Sequence, residues 1–130
     1  MKKVVICASR FLLKEAKEYK RKLENKGYAV IRCPQLIDQD SLEAYQTTHI
    51  EHYKKIIESD ILFILNIEKN GISNYIGPSV FAEIAFAIGL NISLGKEITV
   101  YCLNPLPEEL SYSEELKSWK ELGWIKIWKD

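Results

Sequence analysis

Short apolar runs rich in β-branched residues recur along this chain, and a helix-length stretch separates each from the next. Residues 3–8, 28–33, 61–66, 97–103 and 124–128 read as strands, and 61–66 (Ile-Leu-Phe-Ile-Leu-Asn) is the most apolar of them. An unbroken apolar run fits a strand buried on both faces. The gaps are too long for hairpin turns, so neighbouring strands must pair in parallel through crossover helices. Residues 11–26 carry Leu12, Ala16, Tyr19 and Leu23 on one stripe and stop at Gly27. Residues 42–58 follow a cap at Asp40 or Ser41, 78–94 run from Pro78 to a stop near Gly95, and 113–122 form a short last helix. A polar loop is expected over 35–40, a Gly- and Asn-bearing loop over 67–77, and a turn over 104–107.

This alternation predicts a single α/β domain over residues 1–130. It has three α/β/α layers, about five parallel strands and the flavodoxin-like order 2-1-3-4-5. In such sheets ligands bind beyond the strand carboxyl ends, where the strand order reverses. Strands one and three flank that point. The places to examine therefore follow Ala8, Leu65 and, secondarily, Leu103.

Charge excludes one large class of function. The 130 residues carry 18 basic and 18 acidic side chains, without the cationic excess that a general nucleic-acid binder needs. Three separated cysteines, Cys7, Cys33 and Cys102, form neither a CxxC pair nor a disulfide framework. Residues 1–6 run directly into a strand and lack the long apolar region and small-residue cleavage site of a secretory leader. A reduced cytoplasm is the expected location. Residues 76–94 are apolar enough to raise a membrane span, but Pro78, Glu83, Gly89 and Asn91 favour a buried helix.

Several familiar sites are absent. No GxGxxG follows the first strand, no phosphate-binding P-loop sequence occurs, and the receiver-type acidic positions hold Cys7-Ala8-Ser9 and Asn66. His49 and His52 stand three apart on a polar helix with no Cys or carboxylate in matching sequence spacing, so no metal ligand set and no cofactor are indicated.

The most informative segment is 70–95, whose 26 residues include a single charge, Glu83. A carboxylate on a helix apolar nearly all round is costly unless it is paired, hydrogen-bonded or facing a polar cavity. Glu83 is the reactive group of a site, a structural partner of a backbone donor or basic side chain, or a residue that simply faces solvent. Ser9 can cap the first helix or bind an anion or ribose beside free helix N–H groups, with Arg10 adjacent. Gly77, Pro78 and Ser79 open the third helix, and Gly77 allows close backbone approach. Asn66 and Asn104 end strands three and four, where each can either satisfy turn backbone or touch ligand.

The run Asn74-Tyr75-Ile76-Gly77-Pro78-Ser79-Val80-Phe81-Ala82-Glu83-Ile84-Ala85-Phe86-Ala87, after the strand 60–66, resembles the nucleoside 2-deoxyribosyltransferase superfamily. That superfamily includes the 2′-deoxynucleoside 5′-monophosphate N-glycosidases. The opening Val4-Val5-Ile6-Cys7-Ala8-Ser9 and the later Lys26-Gly27-Tyr28-Ala29-Val30 are similar to its start. The resemblance spans about residues 3–103 and is strongest over 60–90.

The resemblance implies that Glu83 is the nucleophile that attacks C1′ and displaces the base. It implies that Ser9 lies near the sugar or 5′-group and that Gly77 and Ser79 line the pocket. Tyr75 is the candidate near the leaving base. The transferases carry an Asp before their Gly-Thr turn, whereas residues 69–79 here contain no acid. This departure favours hydrolysis, or binding without turnover, over base exchange. The alternatives are a catalytically silent nucleotide-binding domain and a phosphoribohydrolase, which usually has more glycines than Gly77 alone. The expected partner is a nucleoside or nucleotide, not nucleic acid and not a membrane. A homo-oligomer is expected from the family and from Trp119, Trp124 and Trp128 near the C-terminus.

Overall fold

The computed structural model describes residues 1–36 and 40–130. The expected loop over 35–40 thus lies partly outside the described residues. The elements are β1 (Lys3–Cys7), a 3₁₀ turn (Arg10–Leu12), α1 (Leu13–Asn25), β2 (Ala29–Arg32), α2 (Leu42–Glu58), β3 (Ile61–Ile64), α3 (Pro78–Leu94), β4 (Thr99–Cys102), α4 (Ser113–Glu121) and β5 (Lys126–Ile127). All four strand pairings are parallel, and the sheet order is β2-β1-β3-β4-β5. The domain is α/β with the flavodoxin-like order, and β1 and β3 lie side by side at its reversal. No helix among the described residues is long and apolar enough to cross a membrane.

The central strands are buried as their composition requires. Every residue of β3 and all but the first of β1 are buried. Alternate residues feed two cores. Val5, Cys7, Leu62 and Ile64 face α3 and α4, with Ile84, Ala87, Ile88 and Leu116. Val4, Ile6, Ile61, Phe63 and Leu65 face α1, with Ala16 and Leu23.

Local signals set the helix ends. Ser41 caps α2 by accepting from Ala44 N at 3.0 Å. Gly95, at φ +70°, ends α3 in the left-handed conformation that favours glycine. Asn91, a polar residue on that apolar helix, brackets Ile98 by donating to its carbonyl at 2.8 Å and accepting from its N–H at 2.9 Å. The start of β4 is thereby tied to α3.

The α1 face has one helix to cover the sheet, and Trp128 extends that cover. Its ring packs edge-on against Phe63 and Tyr101, with centroids 5.4 and 5.1 Å away. Its indole N–H donates to Asp130, which also pairs with Lys26 at 2.8 Å. On the other face Trp119 stacks on Phe81 at 5.1 Å. Two of the three C-terminal tryptophans therefore pack within the chain, while Trp124 is 38% exposed. Trp128→Ala is expected to cost at least about 2 kcal/mol of stability, because the rings beneath it lose their cover. Trp124→Ala is expected to stay within about 0.5 kcal/mol. Urea midpoints of the two variants check the contrast.

Candidate functional site

A pocket of about 380 Å³ opens at the carboxyl ends of β1 and β2. Ala8, Ser9 and Arg10 form one wall, and Cys33 to Gln35 another. Tyr45, Thr48, His49 and His52 of α2 form a third. Lys69 and Tyr75 of the loop after β3, with the start of α3 from Gly77 to Glu83, complete it. Gly77 is the N-cap of α3 and Pro78 its first residue, and among the described residues no side chain caps this helix. The amides of Ser79 and Val80 lack a preceding-turn partner, as at any helix start. Both residues line the pocket.

Glu83 lies in the second turn of α3 and is 8% exposed. Its Oε1 is 3.2 Å from His52 Nε2, which is also 3.4 Å from Cys7 Sγ. The end of β1, the middle of α2 and the start of α3 thus converge on one imidazole. Burial pushes the Cys7 thiol well above its ordinary range, and the Glu83 charge pushes it further. Sequence spacing alone gives His52 no partner. The fold corrects this, because Cys7 lies 45 residues away along the chain and reaches it only through β1.

Lys69 is the second group that spacing alone did not single out. Asn70 and Gly71 have φ of +52° and +82°, and Lys69 and Ile72 exchange backbone hydrogen bonds of 3.1 and 3.0 Å. This is a two-residue hairpin turn of the kind that Asn-Gly favours. Glu68 locks it by accepting from Gly71 N at 2.7 Å. Lys69 Nζ lies 4.6 Å from the Phe11 ring centre and 5.1 Å from that of Tyr75. It reaches Ser9 Oγ at 3.4 Å. Two aromatic faces thus hold an ammonium against the Ser9 hydroxyl. Ser9 also accepts from Phe11 N at 3.4 Å. The Tyr75 ring lies against Gly77, where an added Cβ would meet Tyr75 Cε2 at 3.3 Å. The close approach that Gly77 permits is therefore made by a side chain of the same chain.

The fold thus gathers Ser9, Arg10, Tyr75, Gly77, Ser79 and Glu83 around one pocket. Asn66 is not among them. It is fully buried, and its amide donates to the carbonyls of Asn104 and Pro105 at 2.9 and 3.1 Å. Asn104 returns the bond, its N–H donating to Asn66 Oδ1 and its side chain to the Asn66 carbonyl. The two asparagines latch the ends of β3 and β4 together, which takes both out of the role of ligand contacts.

The pocket differs from the neutral chain around it. Among the described residues Arg10, Arg32 and Lys69 line it with one acid, Glu83. Arg32 is held toward α2, with Nη1 3.4 Å from Glu51 and Nη2 donating to the Thr48 carbonyl. Such a lining favours an anionic ligand. No protein-family model matches the chain, and no curated protein matches it.

Asn66→Ala strands backbone groups that the latch satisfies. The expected loss is about 1–3 kcal/mol of stability with ligand binding by the folded protein unchanged. Denaturant titration and a binding isotherm on one variant check both halves.

Proposed function

We propose that the chain cleaves the N-glycosidic bond of a 2′-deoxynucleoside 5′-monophosphate, with Glu83 as nucleophile. The observation that carries this reading is a nearly buried carboxylate facing a cation-lined pocket, with a histidine rather than a Lys or Arg as its contact at 3.2 Å. A purely structural glutamate would be expected to lie against a permanent cation. The pocket volume also falls within the range of small-ligand sites, about 300–1,000 Å³.

In the proposed first step a Glu83 oxygen bonds to C1′ as the C1′–N bond breaks. The bonding pair leaves with the base, which takes up a proton. Water then attacks C1′ and releases a proton to solvent that offsets the one the base took up, the ester opens, and deoxyribose 5-phosphate departs with Glu83 restored as carboxylate. Base exchange follows the same course with a second base in place of water. His52 is a positioning residue, holding the carboxylate through its 3.2 Å contact. Lys69, Ser9 and Arg10, with the uncapped start of α3 at Ser79, supply the donors for a 5′-phosphate. This cluster favours a monophosphate over a free nucleoside.

A cytoplasmic homo-oligomer belongs to the same proposal. Three free thiols suit a reducing compartment. Ile50 and Ile57, two turns apart on α2, are exposed apolar residues that a second copy could cover. A monomeric mass by light scattering at tens of micromolar would count against the oligomer.

The test is base release from a panel of deoxynucleosides and their 5′-monophosphates. Monophosphates are expected to be cleaved in preference. Lys69→Ala is expected to weaken their use by about 10–100-fold, the size of one lost charge-assisted contact. The nucleosides should be little affected. Equal losses on both ligands reject the phosphate assignment. Binding without base release identifies a nucleotide-binding domain instead.

A further inference from the structure

We propose that Cys7, His52 and Glu83 form a site for a thiophilic divalent cation of the zinc type, and that metal in this site switches off the chemistry of the pocket. The switch rests on Glu83 being the reactive carboxylate, whereas the metal site does not.

The case begins with geometry. One donor atom from each residue lies within 4.8 Å of the other two. Tetrahedral zinc, with Zn–S of about 2.3 Å, Zn–N of about 2.0–2.1 Å and Zn–O of about 2.0–2.2 Å, sets S···N near about 3.6 Å and N···O near about 3.4 Å. The protein has Cys7 Sγ to His52 Nε2 at 3.4 Å and His52 Nε2 to Glu83 Oε1 at 3.2 Å. Two sides of the triangle thus stand within a few tenths of an ångström of their tetrahedral lengths, and the third, from Cys7 to Glu83, is no longer than 4.8 Å.

The donor set also fits in kind. A thiolate, an imidazole and one carboxylate select zinc or its late first-row neighbours, while magnesium and calcium require oxygen ligands. Charge supports the fit. A thiolate and a carboxylate neutralise a dication, so the occupied site has no net charge in a region where unpaired charge is costly. On binding, the Cys7 thiol proton leaves to solvent, and His52 offers the Nε2 lone pair with its proton on Nδ1. His52 and Glu83 line the pocket and Cys7 is buried behind them. The ion therefore enters from the pocket, and its fourth position is left for water on that side. A metal-bound Glu83 has its negative charge drawn to the ion, which weakens it as a nucleophile toward C1′.

Cobalt(II) reads the site without activity. Chelator-stripped protein titrated with cobalt is expected to take up one equivalent. It should show the thiolate-to-cobalt charge-transfer band and the intense visible bands of tetrahedral coordination, both removed when zinc displaces cobalt. Cys7→Ser and Cys7→Ala are expected to lose the charge-transfer band and weaken zinc binding at least about 100-fold, beyond the 10–100-fold typical of a lost outer-shell partner. Circular dichroism confirms that each variant is folded, and Cys33→Ala and Cys102→Ala should keep the full spectrum. A weak, octahedral-type spectrum, or a charge-transfer band that survives in folded Cys7 variants, overturns the site. Zinc is expected to suppress base release in the parent and to spare Cys7→Ala. Base release that continues with the site filled overturns the switch. A cobalt spectrum in a protein that releases no base, with or without metal, sustains the site and refutes the catalytic reading.

Discussion

Glu83 is a carboxylate on the most apolar helix of the chain, and the cost of holding a charge there governs the arrangement around it. An ion removed from water loses several kcal/mol of solvation unless partners or a polar cavity compensate. Here the compensation is His52 at 3.2 Å and the pocket that both residues line. No strong base neutralises the carboxylate within its own helix, since 70–95 carries no other charge. The acid therefore remains available to a ligand, with an imidazole fixing its direction.

The sheet makes this arrangement possible. β1 and β3 are central, parallel and buried, so their ends are fixed in register from Val4–Ile61 to Cys7–Ile64. From the end of β1 the chain turns toward α1 and leaves Ser9 and Arg10 on the rim. From the end of β3 it passes through the Asn-Gly turn that brings Lys69 to Ser9, then enters α3 at Gly77. The Asn66–Asn104 latch holds the far side of that crossing. The outcome is a pocket with cations on the rim and, among the described residues, Glu83 as its acid in the wall formed by α3.

The fold was legible because buried parallel strands leave a plain mark: apolar runs separated by helix-length stretches. Glu83 was legible for the opposite reason, as a lone charge in an apolar segment. Lys69 was hidden because a single lysine in a loop has no periodicity to betray it. The signal that could have found it was Asn70-Gly71, whose turn fixes the lysine's direction. His52 was hidden because its partners lie 31 residues ahead and 45 behind, and only the packing of α2 against both β1 and α3 unites them. Asn66 read equally well as ligand contact or turn support. The sheet order decided the matter by setting Asn104 beside it. Trp119 and Trp128 suggested an interface by their density, yet a face with one helix needs large side chains of its own, and Trp128 serves there.

The most direct test of whether Glu83 serves the ligand rather than the fold is the thermal or denaturant unfolding of Glu83→Gln, with base release followed on the same preparation. The amide keeps the shape and can still hydrogen-bond to His52, but it lacks the charge needed at C1′. Stability is predicted to hold or rise, as where active-site residues trade stability for function, while base release falls by orders of magnitude. A loss of about 3–5 kcal/mol, the size expected when a buried ion pair is broken, or base release at the parent rate, would contradict the role assigned to Glu83.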